Sequence, residues 1–116
     1  MRRDRPRDLL NDILDFIDKI DSWKPTQGTV ADEKTLYAVL HALQYIGEAV
    51  NRLPSEVTGL KPEVPWQKIR TMRNLIAHDY AGIEAAIVWK TVQERLPELR
   101  AAVTSMLAGG ADRAPS

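Results

Sequence analysis

The chain has 116 residues, which is enough for one domain with a modest core. Its 16 basic and 16 acidic side chains give a formal net charge of zero, and the pI is about 6.7. These values exclude the strongly basic surface of a general nucleic-acid binder. They leave open local phosphate binding at a few arginines. The sequence contains no cysteine, which excludes disulfide bonds and thiol chemistry. The basic start is followed by aspartates rather than by an uncharged apolar stretch, so we expect no signal peptide and no membrane span, and we predict a cytoplasmic protein.

Apolar side chains recur at helical spacing in the two N-terminal segments. The first segment predicts a helix over about residues 6–22, with Pro6 in the first turn, where its missing N–H costs nothing. A segment with proline and glycine ends this pattern, and a second helix is predicted over about residues 32–53, with a coiled-coil-like seam of apolar residues. Gly47 adjoins that seam, where glycine costs about 1 kcal/mol relative to alanine. We therefore expect another helix to approach closely at Gly47, with a tolerated surface glycine as the open alternative.

Prolines mark the organisation of the second half of the chain. Residues 54–65 contain three prolines and a glycine, and they predict an irregular connection with one helical turn at residues 55–58. A third long helix is predicted over about residues 65–78. A fourth begins near Glu84, and Pro97 should kink or split it by removing one backbone hydrogen bond.

The predicted fold is all-α, an up-down bundle of four main helices. The domain covers residues 1–107, and residues 108–116 are expected to form a disordered tail. The apolar period of the fourth helix starts at Ile87. The core face of the third helix should consist of Ile69, Met72 and Ile76.

Residues 73–80 read Arg-Asn-Leu-Ile-Ala-His-Asp-Tyr and place an arginine, a histidine and a tyrosine near the end of the third helix. At about 100° per residue, Arg73 and Tyr80 lie close together at the edge of the core face, whereas Arg73 and His78 differ by about 140°. Arg73 and His78 cannot converge on one small group from a straight helix. Either the helix ends near His78 and turns it, or a two-fold dimer brings two copies of the motif together.

Every polar residue of this motif also has a purely structural interpretation. Arg73 can cover apolar surface with its stem while its head pairs with a carboxylate such as Asp79 or Glu48. His78 can cap the C-terminus of its helix, where the dipole favours an imidazolium. Tyr80 can pack in the bundle with its hydroxyl bonded to the backbone, and Asn74 can be a solvated surface residue. Spacing alone does not decide between these interpretations and a catalytic site.

The motif is accompanied by two further stretches, Ile-Gly-Glu-Ala-Val at residues 46–50 and Val-Trp-Lys-Thr-Val at residues 88–92. Together they make the chain resemble the HepT-type proteins of the HEPN superfamily over residues 5–107. Those are small all-helical proteins, often the toxin half of a bacterial toxin–antitoxin pair whose other half is a minimal nucleotidyltransferase. The resemblance implies a metal-independent endoribonuclease toxin of a type II/VII-like pair, without a cofactor, that cuts RNA and is neutralised by that nucleotidyltransferase.

The resemblance also implies roles for particular residues. Arg73 and His78 match the family's R-x4-6-H motif, in which the arginine is thought to bind phosphate and the histidine to move protons. Asn74 matches the polar residue that often follows the arginine, and Glu48 is a candidate to orient Arg73. Tyr80 matches the HepT tyrosine that the partner adenylylates. The side chains suit these roles, because histidine serves acid–base chemistry near neutral pH and arginine binds phosphate through two parallel N–H groups.

Three hypotheses about function stay open. In the first, the chain is a ribonuclease toxin that acts as a homodimer, which would supply two motif histidines. In the second, it is a non-catalytic helical dimer that binds the nucleotidyltransferase or a nucleotide. In the third, it is a housekeeping protein whose motif only shapes the bundle. The intact motif favours the first hypothesis, and the neutral pI favours the second. A metal site is not expected, because His41 and His78 lie on different predicted helices and no cluster of His, Asp or Glu joins them.

Overall fold

A computed structural model of the chain describes residues 5–23, 32–79 and 82–109. This part of the chain is helical and contains no strand. The helices are α1 (Pro6–Trp23), α2 (Glu33–Arg52), α3 (Ser55–Thr58), α4 (Trp66–Asp79) and α5 (Ala85–Ala108). Four long helices and one short turn confirm the predicted all-α bundle, and the predicted ends of the long helices lie within about one residue of the observed ones. The predicted tail lies outside the described residues from residue 110 onward.

The ends of the helices near the predicted site are fixed by specific hydrogen bonds. The Asp32 side chain accepts a hydrogen bond from the backbone N–H of Thr35 at 2.8 Å and so caps the start of α2. The hydrogen bonds from Thr35 hold the pKa of Asp32 below its ordinary value. The indole Nε1 of Trp66 donates to the carbonyl oxygen of Lys61 at 2.9 Å, which ties the start of α4 to the connection that precedes it.

The central helix of the bundle is α2, which packs against α1 on one side and against α4 on the other, while α5 packs against α1. Gly47, near the C-terminal end of α2, lies against Ile69 and Arg73 in the first part of α4. The two helices therefore run antiparallel, as expected for an up-down bundle with a short connection.

Buried side chains of all four long helices form one apolar core. From α4, Ile69 and Ile76 are buried in this core and Met72 is partly buried against it, as the helical spacing predicts. Ile87 corrects the sequence-based expectation, because it begins the apolar period of α5 and yet is 56% exposed. Its neighbour Val88 is buried instead, and the rotation of about 100° between adjacent residues places Ile87 outside the core face.

The last helix, α5, continues as one element through Pro97, so of the two predicted outcomes the split does not occur. Both Pro97 and Gln93, whose carbonyl loses its helical partner, are exposed, so the unpaired carbonyl lies on the solvent side of α5. No helix in the described part of the chain combines the length and the apolar character needed to cross a lipid bilayer.

Candidate active site

The contact between α2 and α4 is closest at Gly47. A Cβ atom placed on Gly47 would lie 3.0 Å from the Cβ of Arg73 and 3.1 Å from the carbonyl oxygen of Ile69. Both atoms belong to the backbone of α4 or are attached directly to it, so a side chain at position 47 would push the two helices apart. The close approach predicted for this glycine is confirmed, and it sets the position of the Arg73 backbone relative to α2.

Glu48 follows Gly47 in the chain and binds Arg73 across the same contact between α2 and α4, which is called the α2–α4 seam. The Nη1 of Arg73 donates a hydrogen bond to Oε2 of Glu48 at 2.8 Å. The Arg73 side chain is 30% exposed and that of Glu48 46% exposed, so the pair lies at the edge of the seam, in reach of solvent. The structure thus brings together two of the predicted site residues. This contact fits both an arginine oriented for phosphate and an arginine that only joins two helices.

One nitrogen of Arg73 takes no part in the ion pair with Glu48. Its Nε is buried, and among the described residues it has no hydrogen-bond partner. A buried N–H group without a partner costs roughly 1–3 kcal/mol, and such groups are rare in folded proteins. The sequence carries no signal for this feature, because it depends on how deeply the stem of Arg73 enters the contact between α2 and α4 beside Gly47. The ion pair therefore leaves a buried N–H of Arg73 that the described residues do not satisfy.

His78 lies in the last turn of α4 and is exposed. It lies five positions after Arg73, which corresponds to about 7.5 Å along the helix axis and about 140° around it. Because α4 continues as a regular helix to Asp79, the helix does not turn His78 toward Arg73. Within one chain the two residues do not converge, as the sequence analysis expected for a straight helix.

The other predicted site residues are placed as follows. Asn74 is exposed on α4, directly after Arg73. Tyr80 lies outside the described residues, so its candidate role stays a prediction. No group of three or more His, Asp or Glu side chains that could hold a metal ion occurs in the ranges 5–23, 32–79 and 82–109.

A cleft of about 340 Å³ between α4 and α5 was missed by the sequence analysis. Its wall includes the apolar side chains of Ile46 and Leu99, and its rim carries the cations Lys68 and Arg95. The cleft forms where α4 packs on α2 while α5 packs on α1. None of the described site residues Glu48, Arg73, Asn74 and His78 lines it. Periodicity does not reveal such a cleft, because it depends on the spacing between helices that are distant in the chain.

Comparison with known proteins places the chain among relatives. It is 36% identical over 97 residues to "Probable ribonuclease HepT" of Thermococcus cleftensis, which covers 81% of this chain and 88% of that protein. It is 37% identical over 78 residues to "Putative RNase TTE0752" of Caldanaerobacter subterraneus subsp. tengcongensis, covering 67% and 70% of the two chains. It is 30% identical over 95 residues to "Putative RNase MJ1216" of Methanocaldococcus jannaschii, covering 79% and 78%. No solved structure matches the chain.

The family comparison covers most of the chain. The family described as "Ribonuclease HepT-like" matches residues 10–106, a range that includes Glu48, Arg73 and His78 and reaches from α1 into the last turns of α5. The fold, the Arg73–Glu48 seam and this match agree with the resemblance found in the sequence: the chain belongs to the HepT-like ribonuclease family.

Proposed function

We propose that this protein is a metal-independent endoribonuclease that acts on RNA in the cytoplasm, with Arg73 as the phosphate ligand and His78 as the group that moves protons. The observation that carries the proposal is Arg73 itself, held by Glu48 at the closest approach of α2 and α4, with one buried N–H that has no partner among the described residues. Relatives named as ribonucleases support it. Glu48 orients the guanidinium, and Asn74 supplies a further polar group beside it.

The proposed reaction needs no group beyond the RNA and these side chains. A neutral His78 takes the proton from a ribose 2′-OH, and the 2′-oxygen forms a bond to the adjacent phosphorus. The bond between phosphorus and the 5′-oxygen of the next nucleotide breaks, and an imidazolium gives a proton to that oxygen. Arg73 stabilises the negative charge on the two non-bridging oxygens. The products are a 2′,3′-cyclic phosphate and a 5′-hydroxyl end.

The proposal includes a two-fold homodimer, because one chain does not bring Arg73 and His78 together. Leu75 lies on the same side of α4 as His78, about 60° away around the helix, and is 57% exposed. An exposed leucine beside the motif suits burial against a second copy of the chain. A two-fold axis close to α4 would bring two His78 side chains to one shared cleft between the two subunits. One histidine then serves as base and the other as acid.

The shared cleft has a direct kinetic test. Parent protein and His78→Ala protein are mixed at defined ratios and allowed to exchange subunits before RNA cleavage is measured. If one site needs both histidines, mixed dimers are inactive, and activity falls as the square of the parent fraction. A linear fall would show that each subunit works alone, and a monomer in light scattering at full activity would remove the dimer from the proposal.

The test of catalysis compares two arginine variants of similar size and charge change. Arg73→Ala and His78→Ala should each abolish cleavage of a single-stranded RNA, while Arg100→Ala, which removes an arginine on the far side of the bundle, should cut like the parent. Chelators should not change the rate, and a substrate with a deoxyribose at the cut should resist cleavage. Circular dichroism and thermal unfolding establish that each variant is folded. Parent protein that cuts no RNA, or alanine variants that cut equally well, would leave the non-catalytic dimer that binds a partner or a nucleotide as the better hypothesis.

The proposed control of this activity rests on a minimal nucleotidyltransferase as antitoxin. Tyr80 follows His78 by two residues in the sequence, so a nucleotide on its hydroxyl would add bulk and phosphate charge next to the motif. That modification should block RNA and occupy Arg73. Intact-protein mass spectrometry after incubation with the nucleotidyltransferase and ATP tests it. A mass increase that persists in Tyr80→Phe, or no increase at all, would remove Tyr80 as the control point.

A further inference from the structure

Aromatic side chains cross the seam between α1 and α2 on the surface of the bundle. The rings of Phe16 and Tyr45 stack with their centroids 4.6 Å apart and their planes at 27°. The Nζ of Lys19 lies 4.7 Å from the centre of the Phe16 ring. The ring of His41 stands beside Tyr45 at 6.3 Å, tilted by 57°. These four residues, Phe16, Lys19, His41 and Tyr45, are called the aromatic ridge below.

About half of the Tyr45 side chain takes no part in the packing of the bundle. Tyr45 is 47% exposed even though the stacked Phe16 covers one face of its ring. The exposed part is therefore the opposite face and the edge, with the exposed His41 as a neighbour. Shielding of Phe16 accounts for the covered face of Tyr45. It does not account for a large flat ring surface turned toward solvent.

One end of the ridge, Tyr45, lies about one helical turn from the carboxylate that binds Arg73. Tyr45 precedes Glu48 by three residues on α2, which is about 4.5 Å along the helix axis and about 60° around it. Glu48 in turn binds Arg73 on α4. A single strand whose phosphate reaches Arg73 thus has an open aromatic face within the reach of a neighbouring base.

We propose that the aromatic ridge binds unpaired bases of the RNA substrate, with Tyr45 as the stacking surface and Lys19 as a nearby cation for the backbone. This inference rests on the proposed ribonuclease function and names its substrate class, which is single-stranded RNA or the loops of folded RNA. Stacking on an aromatic ring accepts every base and depends little on net charge. A chain with formal net charge zero can bind a single strand in this way, although it lacks a broad basic surface. Paired bases are hidden in a duplex and cannot stack on the ridge.

The exposed rings of the ridge favour RNA bases over a second copy of the chain. Lys19 and His41 accompany the rings, but so do the aspartates that lie four residues before Phe16 and Lys19 on α1, so stacking rather than charge carries the binding. Large aliphatic side chains that would suit a subunit contact are exposed elsewhere, with Leu75 on α4 and Ile87 on α5. The proposed dimer contact and the proposed base-binding surface therefore use different helices.

Binding is tested in the inactive His78→Ala background, so that the RNA stays intact. Fluorescence anisotropy of a short end-labelled single strand compares Tyr45→Leu, which keeps apolar volume and removes the ring, with Tyr45→Phe, which keeps the ring. Loss of one stacked base should raise the Kd about tenfold for Tyr45→Leu and leave Tyr45→Phe within about twofold. Leu60→Ala, at an exposed position after α3, is the control and should bind like the parent. A duplex of the same sequence should bind all variants equally.

The outcomes separate this inference from the nuclease proposal. If the active protein cuts RNA and Tyr45→Leu has the same KM as the parent, the ridge is not a base-binding surface, while the nuclease proposal stands. If the protein with His78 intact cuts no RNA, but Tyr45→Leu weakens binding of the single strand, the ridge is a base-binding surface and the nuclease proposal fails. If Tyr45→Leu turns a dimer into a monomer in light scattering, the ridge is a subunit interface and the inference is overturned.

Discussion

Two arginines join neighbouring helices in this bundle through carboxylates, and they do so under opposite conditions. Arg100 of α5 reaches two carboxylates of α1, with Nη1 at 2.6 Å from Asp18 and Nη2 bound to Asp21. Both carboxylates are more than one third exposed, so water completes their bonding. Among the described residues, Arg73 of α4 contacts one carboxylate, that of Glu48, and its buried Nε has no partner. The same residue type thus binds two carboxylates on one side of the bundle and one carboxylate on the other.

The difference teaches which arginine serves the fold. Hydrogen bonding to Asp18 raises the pKa of Arg100 above its ordinary value, and Asp21 adds to the effect. Because the folded pKa is raised, this stabilisation is fully present below the ordinary arginine pKa and is lost only as pH rises through the raised value, far above neutrality. Arg100 is therefore a constant structural tie. Under the proposed function Arg73 instead binds a phosphate of the substrate, and its Nε has no partner among the described residues.

The comparison depends on the close helix approach at Gly47, and breaking that approach should have the largest effect. In Gly47→Val the new side chain meets Arg73 and the Ile69 carbonyl with no room to rotate away, so the free energy of unfolding should fall by about 2 kcal/mol or more. Urea unfolding followed by circular dichroism measures it. RNA cleavage should fall as well, because α4 is displaced together with Arg73.

Gly47→Ala makes the same test with a single methyl group. Overpacking of roughly 1–3 kcal/mol opposes a gain of about 1 kcal/mol in helix propensity, so the net change should be neutral to destabilising. Gly109→Ala is the matched control, since its Cβ would lie at an ordinary 3.4 Å from the Ser105 carbonyl. If Gly47→Ala stabilised the protein by the whole helix-propensity gain, the seam would have room to spare, and Arg73 would not be constrained as described.

Replacing either arginine by methionine should change the free energy of unfolding by a smaller amount, with opposite signs at Arg73 and Arg100. Arg73→Met keeps the packing of the stem, removes a buried unpartnered N–H worth roughly 1–3 kcal/mol and loses a partly exposed ion pair worth roughly 0.2–1 kcal/mol. Stability should rise by about 1 kcal/mol while RNA cleavage is lost. Arg100→Met should lower stability by roughly 0.2–1 kcal/mol and leave cleavage unchanged. Urea unfolding of both variants at one pH makes the comparison, and a clear loss of stability in Arg73→Met would show that Arg73 is a structural tie as well.

The sequence predicted the frame of this comparison but not its decisive atom. Helical periodicity predicted the four long helices, and the glycine beside an apolar seam predicted the close approach at Gly47. The pairing of Arg73 with Glu48 was one of several contacts that the sequence allowed. The buried Nε without a described partner and the stack of Phe16 on Tyr45 were not predictable, because each depends on how one helix is rotated against another. Periodicity fixes the face of a single helix and leaves the relative rotation of two helices open.

The cap of α2 offers a further comparison, because Asp32 stabilises one helix end whereas the two arginines join different helices. Thr35 holds the pKa of Asp32 below its ordinary value of 3.8, so the cap contributes its charge-dependent stability above that value and loses it as pH falls through the lowered pKa. Asp32→Asn keeps a good capping side chain that does not titrate. The parent and Asp32→Asn should therefore unfold at similar urea concentrations at neutral pH, and the parent should lose stability more steeply in acid.

The difference between the two proteins should be the smallest of those described, because Asp32 is fully exposed and water screens its charge. If the two pH profiles of urea unfolding ran parallel, the cap would carry no titrating contribution. If they diverged as expected, Asp32→Asn would be the background in which Arg73→Met and Arg100→Met are compared without the titration of the cap.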